Sequence, residues 1–360
     1  MIMDQVIHVI EPTLEGETGH CYSFVASLCA AAQGHPLRLW IGKSAHARFT
    51  RAGVVVENHF FRTIRRLQAF FLYQRLLREE GRIFVATAGR TDLFLLNLAA
   101  GGHIPPGKVY LFFHWFRDSN RKRKYLTRIA RRQQNLVILG PTQSVVDIFR
   151  ACGFENTMVV PYPITPLAGA EFAPAVSFGH LLFAGAARKD KGFGTVVDLV
   201  ELLARRGESI PIKIQSSAKH YGKYEPGIRE DLDRLAKANY PYLEMFSDTL
   251  TESAYRALFF RGICMQPYDI QEFADRVSGV TLDALSAGCP VVTVRGTWMA
   301  RVVENSAAGV VIDEVRPESL LTAVETVMSD YSRYRWNAYE TGKVLQAEHS
   351  ADHLFRVLIS

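Results

Sequence analysis

The residues best spaced for chemistry lie in the stretch Asp275-Arg-Val-Ser-Gly-Val-Thr-Leu-Asp283, which runs on into Ala-Leu-Ser-Ala-Gly-Cys-Pro-Val-Val. Two carboxylates eight apart bracket a Ser-Gly turn where a helix is expected to begin. That leaves the backbone N–H groups of Gly279 and Val280 without helical partners, so that with Ser278 they could meet a ligand anion. Asp283, one turn inside, could hold sugar hydroxyls, with Asp275 on the preceding loop. As a bare pattern, spaced aspartates are more often a helix cap and a surface charge. A second constellation is Phe183-Ala-Gly185-Ala-Ala-Arg188-Lys-Asp-Lys191-Gly. A strand ending in glycine, then two cations and a helix, makes an anion site suited to a diphosphate. A solvated charged loop is the other reading. The third is Glu15-Gly16-Glu17-Thr-Gly19-His20, a turn between the first strand and a helix. Its glycines could admit a ligand to a helix N-terminus, or serve only the turn. His20 alone reads as a solvated loop residue as readily as a catalyst. Gly-x-Gly-x-x-Gly is missing, as is the Gly-Lys-Ser/Thr of a P-loop, so a nicotinamide oxidoreductase is not expected.

Short β-branched runs alternate with helical segments and must position these loops. In the first half they are Val6–Ile10, Leu37–Gly42, Arg82–Ala88, Lys108–His114, Asn135–Pro141 and Thr157–Pro163. In the second they are His180–Ala186, Ile210–Ser216, Tyr242–Ser247, Gly262–Tyr268, Pro290–Val294 and Ala308–Asp313. Near-continuous hydrophobicity marks strands covered on both faces, as in parallel sheets. The pattern predicts an α/β chain of two doubly wound Rossmann-like domains facing across a cleft, with ligands at the carboxyl ends of the strands. The expected boundaries are 1–163, a proline-rich hinge at 164–177, a second domain at 178–335, and a C-terminal helix, 336–360, packing back on the first.

The 360 residues are 48% hydrophobic and 22% charged, with mean hydropathy +0.01, a balance that excludes disordered and low-complexity classes. The N-terminus reads as a strand rather than a cleavable signal. Five scattered cysteines without a Cys-x-x-Cys pair argue against a disulfide scaffold or structural zinc, and a cytoplasmic setting is expected. Charge is uneven: residues 1–163 carry 21 Lys and Arg against 11 Asp and Glu, the remainder 21 against 25. In Phe60 to Phe71, helical spacing sets Ile64, Leu67 and Phe71 on one face, with Arg62, Arg65 and Arg66 largely opposite. From Arg117 to Arg132, Arg121, Lys124, Arg128, Arg131 and Arg132 form one stripe. Such helices suit an anionic bilayer, at about 1 kcal/mol per cation; the commoner fate is a solvated face over a buried apolar stripe. Without a recognisable RNA or DNA module, no nucleic-acid partner is expected.

With these motifs in place, the chain resembles the retaining GT-B glycosyltransferases of glycosyltransferase family 4. The carboxylate-x7-carboxylate phrase ending in Ala-Gly-Cys-Pro-Val-Val is similar to the family's Glu-x7-Glu motif. Phe183-Ala-Gly185 with Lys191-Gly192 resembles its diphosphate loop, Gly16 to Gly42 with Gly34-His-Pro-Leu37 its acceptor-side loop, and His114 the histidine ending an acceptor-domain strand. Two departures stand out: Ala186 where the family usually has arginine, and aspartate for both glutamates.

The resemblance implies metal-independent transfer of a hexose from a nucleoside diphosphate sugar (UDP-, GDP- or dTDP-linked) to an acceptor hydroxyl, without a cofactor. Lys191, Arg188 and the helix start would stabilise the leaving diphosphate, Asp275 would contact the donor sugar, and Asp283 the ribose. His114 would act from the acceptor side, unless it is a buried structural histidine. A lipid-linked saccharide acceptor, bacterial envelope or exopolysaccharide assembly and a peripheral place on the inner face of the cell membrane complete the expectation. Because of the two departures, a weakly active or inactive relative serving as scaffold or partner subunit stays open beside it, as does a polyanion binder.

Overall fold

A computed structural model describes residues 5–17, 19–164, 176–217, 224–248 and 250–360. The chain divides into two compact units, Met1–Pro166 with Glu348–Ser360, and Leu167–Ala347. The expected hinge, 164–177, lies outside the described residues except for 164, 176 and 177.

In the N-terminal unit, seven strands form one parallel sheet in the order β3-β2-β1-β4-β5-β6-β7. They are β1 (Ile7–Glu11), β2 (Leu37–Gly42), β3 (Val54–Phe60), β4 (Arg82–Val85), β5 (Val109–Phe112), β6 (Val137–Gly140) and β7 (Thr157–Val159). The crossovers are α1 (His20–Ala31), α2 (Arg65–Leu76), α3 (Arg90–Ala100), α4 (Asn120–Arg132) and α5 (Gln143–Ala151). Strand β3 was not expected. It lies at the edge, only Phe60 is fully buried, and Glu57, Asn58 and His59 interrupt its apolar run, so it lacks the signature of a central strand.

The C-terminal unit carries six parallel strands in the order β10-β9-β8-β11-β12-β13. These are β8 (His180–Phe183), β9 (Ile212–Gln215), β10 (Leu243–Phe246), β11 (Gly262–Gln266), β12 (Val291–Val294) and β13 (Gly309–Ile312). Its helices are α6 (Phe193–Arg206), α7 (Ile228–Lys237), α8 (Glu252–Ala257), α9 (Ile270–Phe273), α10 (Gly279–Ser286), α11 (Trp298–Ser306), α12 (Pro317–Ser329) and α13 (Tyr331–Glu348). Buried Leu181, Phe183, Val196, Leu203, Ile214, Val292 and Val324 make one core that holds β8 and β9 rigidly behind their terminal loops.

Where one C-terminal helix was expected over 336–360, there are two. Helix α13 ends at Glu348, and Ser350 caps α14 (Ala351–Ile359). Leu354 and Leu358, one turn apart on α14, are fully buried with Phe24 and Leu28 of α1 in the N-terminal core. Burial at this scale contributes roughly 1.5–3 kcal/mol per leucine. Arg82 of β4 also donates to the Leu358 carbonyl at 2.5 Å, so the last helix is part of the N-terminal unit.

Candidate functional site

The densest chemistry in the C-terminal unit stands at the carboxyl end of β8. Gly185 has φ +98°, and its N–H donates to Oε1 of Gln215 at 2.6 Å. Nζ of Lys191 stands 2.5 Å from where a Cβ on Gly185 would be, so the ammonium lies directly against this turn. A 3-10 turn, Lys189–Lys191, presents that side chain, and the turn ends in Gly192 at φ +67°. A Cβ on Gly192 would fall 2.0 Å from the carbonyl oxygen of Pro267, so any side chain there would displace the turn.

Other cations gather around it. Arg188 pairs with Asp190, and Nη1 of Arg276 lies 3.9 Å from the same carboxylate while its guanidinium stacks on Phe273 at 5.0 Å. Burial, with Arg188 and Arg276 nearby, pulls the Lys191 ammonium down to about 8. Burial and Arg188 also lower Arg276. Three cations around one carboxylate leave a positive seat.

Helix α10 closes this seat. Buried Ser278 is its cap and accepts from the Thr281 N–H at 3.3 Å. The Val280 side chain lies 3.7 Å from the Cβ position of Gly185, which sets the first turn of α10 beside the glycine and lysine. The space over Gly279 is open. Asp283 accepts from the Tyr255 hydroxyl at 3.1 Å, and burial pushes its carboxyl up to about 6. Asp275 is held differently: its carboxylate pairs with Arg301 at 2.5 Å, and Arg301 also donates to the Ala274 carbonyl. The structure thus gathers Gly185, Arg188, Lys191, Ser278, Gly279 and Val280 in one place, with Asp283 a turn further along α10. Arg276 was missed in the sequence. Its signal was a cation two residues before the cap.

In the N-terminal unit, Gly19 caps α1 and His20 opens it, with the side chain of His20 outside the description. Oε1 of Glu17 accepts from the Arg48 N–H at 3.1 Å, and Gly16 faces open space. His114 lies two residues beyond β5. Its Nε2 is 2.8 Å from the Ala86 carbonyl, and its ring packs against Phe24, Phe112 and Tyr162. An Nε2–H donor leaves Nδ1 as the basic nitrogen. Glu11, buried at the end of β1, was not anticipated. The hydroxyls of Thr13 and Thr87 donate to it, and burial raises its carboxyl above the usual range. Among the described residues, no group of three or more His, Cys, Asp and Glu side chains is placed to hold a metal.

The two basic helices differ. On α4, Leu126, Ile129 and Ala130 are buried, while Arg121, Lys124, Arg128, Arg131 and Arg132 are exposed, as an ordinary amphipathic helix would be. On α2 the core takes Ala69, Leu72, Tyr73 and Leu76 instead of the apolar row singled out in the sequence. Ile64, Leu67 and Phe71 are 48%, 57% and 57% exposed. Arg62 and Arg66 are exposed as well, with Arg65 half-buried. Helix α2 thus has an ordinary buried stripe, and the row Ile64, Leu67 and Phe71 stands outside it as a second, exposed apolar row. No described helix is long and apolar enough to cross a membrane.

No protein-family model and no curated protein matches the chain. Solved structures do. Anabaena HepE in complex with UDP-glucose is 13% identical at TM-score 0.69, covering 98% of each chain. WaaG, a glycosyltransferase involved in lipopolysaccharide biosynthesis, is 13% identical at TM-score 0.68, covering 98% of this chain and 99% of its own. Sucrose-phosphate synthase from Thermosynechococcus elongatus is 12% identical at TM-score 0.68, covering 99% and 96%. At such identities the likeness establishes the fold, and the fold is GT-B.

Proposed function

We propose that this chain is a retaining glycosyltransferase of the family 4 type, moving a hexose from a nucleoside diphosphate donor to a lipid-linked saccharide. The observation that carries the reading is the seat at the end of β8, where Lys191 lies against Gly185 beside the first turn of α10. The HepE structure holds UDP-glucose, which supports assigning such a seat to a nucleotide sugar.

In the reaction, the bond between the anomeric carbon and the diphosphate oxygen breaks, and the acceptor oxygen bonds to the same face of that carbon. The acceptor proton leaves on the departing diphosphate. Negative charge grows on the diphosphate as the bond lengthens. Lys191, Arg188, Arg276 and the amides of Gly279 and Val280 stabilise it most at that moment. This fixed positive field does the work a divalent metal would do, so the reaction needs no resident cofactor. Arg276 and Arg188 together supply the charge that Ala186 does not. Asp283 takes the ribose hydroxyls, Asp275 the donor sugar, and His114 steadies charge from the acceptor side. The exposed cations of α4 would hold the protein to the anionic inner face of the cell membrane, in bacterial envelope or exopolysaccharide assembly.

Calorimetric titration with UDP, GDP and dTDP tests this. One of them binds the wild type, and Lys191→Ala weakens it by roughly 100-fold, about 2.7 kcal/mol. Unchanged affinity in the variant would refute the seat.

A further inference from the structure

At the carboxyl ends of β1, β2 and β3, the N-terminal unit has a cavity of about 310 Å³. Its walls include Glu15, Lys43, Phe61, Arg62 and Arg65. The backbone here is fixed. The Lys43 N–H donates to the Phe60 carbonyl at 2.7 Å, locking the end of β2 to the end of β3. Gln68 of α2 then staples the turn that follows, accepting from the Phe61 N–H and donating to the His59 carbonyl, both at 2.7 Å. Three cations and one carboxylate therefore line a preformed hollow at the end of the sheet where parallel α/β units take their ligands. Leading away from it, Phe61, Ile64, Leu67 and Phe71 are all exposed, the last three at helical spacing along one side of α2 and its N-cap.

We infer that this cavity binds the phosphate of an amphiphilic acceptor, with Lys43, Arg62 and Arg65 on the phosphate oxygens and Glu15 on saccharide hydroxyls. The hydrocarbon chain lies along Ile64, Leu67 and Phe71. Cations alone would fit any polyanion, and an apolar row alone any greasy partner. Side by side they match a molecule that is itself anionic at one end and apolar at the other. The inference rests on the glycosyl-transfer reading only in calling that molecule the acceptor.

The test is flotation of the full chain with phosphatidylcholine vesicles. One set carries a long-chain polyprenyl phosphate, one the uncharged polyprenol, and one phosphatidylglycerol at matched charge. Wild type is expected to bind the polyprenyl phosphate set roughly tenfold better than either other set. Lys43→Gln with Arg62→Gln should bring it down to the phosphatidylglycerol level, which the exposed cations of α4 sustain. Leu67→Ser with Phe71→Ser should also lose these vesicles, while free inorganic phosphate still displaces the wild type from them. Equal binding to phosphatidylglycerol would overturn the inference in favour of a general anionic surface. Unaltered binding by the Lys43/Arg62 variant would overturn the cavity, and unaltered binding by the Leu67/Phe71 variant would overturn the lipid half. The nucleotide titration on the same proteins keeps the two readings apart. A wild type that takes polyprenyl phosphate but no nucleotide keeps this site and loses the proposed function. Normal nucleotide affinity in the Lys43/Arg62 variant shows that the chain is folded and its donor seat intact.

Discussion

The two units present charge at their sheet ends in opposite ways. In the C-terminal unit the cations are few, half-buried and locked: Lys191 lies against a glycine backbone, Arg188 is tied to Asp190, and Arg276 is stacked on Phe273. In the N-terminal unit Lys43, Arg62 and the α4 stripe are exposed, and large apolar side chains stand among the cations of α2. A rigid, desolvated seat suits a ligand of fixed shape whose charge changes during reaction, because no reorganisation is then needed. Exposed, adaptable side chains suit a bulky amphiphile that needs only to be held.

That contrast can be broken most sharply at Gly192. A methyl there would drive into the Pro267 carbonyl and move the lysine turn. Gly192→Ala is therefore expected to cost about 1–3 kcal/mol of stability and roughly 100-fold in nucleotide affinity. Chemical denaturation and calorimetry on one preparation would show both losses, and unaltered nucleotide affinity would mean the turn is not the seat. Arg276→Ala should cost roughly tenfold in nucleotide affinity with little change in denaturation midpoint; a normal Kd would remove Arg276 from the seat.

The pH profile sharpens the same point. Lys191, lowered to about 8, is charged below that pH and loses its proton above it. Nucleotide affinity should therefore hold below about 8 and fall as pH rises further, and Lys191→Arg should flatten the profile. A wild-type curve flat through this range would place the key charge elsewhere. Asp283 offers a smaller effect of mixed sign. Its folded carboxyl, raised to about 6, lies above its unfolded value, so its charge costs stability at neutral pH and that cost fades as pH falls through 6. Asp283→Asn should raise the melting temperature by a few degrees while weakening nucleotide binding several-fold. A lowered melting temperature would give Asp283 a purely structural role. Least affected should be nucleotide binding in Arg128→Glu with Arg131→Glu. There, binding to anionic vesicles drops by about 1 kcal/mol per cation or more, and parallel loss of nucleotide affinity would argue against a separate surface on α4.

The same contrast explains what the sequence revealed. The central strands announce themselves because both faces are covered, and the edge strands β7, β10 and β13 because their short runs are still mostly apolar. The donor loops do so because glycine, cation and cap must follow one another along the chain. Gly185, Lys191 and Ser278 are legible for that reason. Arg276 is not, since its place beside Asp190 depends on two loops meeting. Strand β3 hides because an edge strand tolerates Glu57 and Asn58. The N-terminal cavity hides because Lys43 follows β2 while Arg62 and Arg65 follow β3, and the sequence does not say that the two segments meet. Which face of α2 the sheet covers is left open because Ile64, Leu67 and Phe71 have helical spacing just as Leu72 and Leu76 do, and spacing does not say which stripe is buried.

The central claim is the cationic seat beside Gly185, and the most direct measurement is a crystal structure with the tightest-binding nucleoside diphosphate. The diphosphate should lie within hydrogen-bonding reach of Nζ of Lys191 and of the Gly279 and Val280 amides, with the ribose toward Asp283. A diphosphate bound elsewhere, with these groups turned inward on their own chain, would contradict the account.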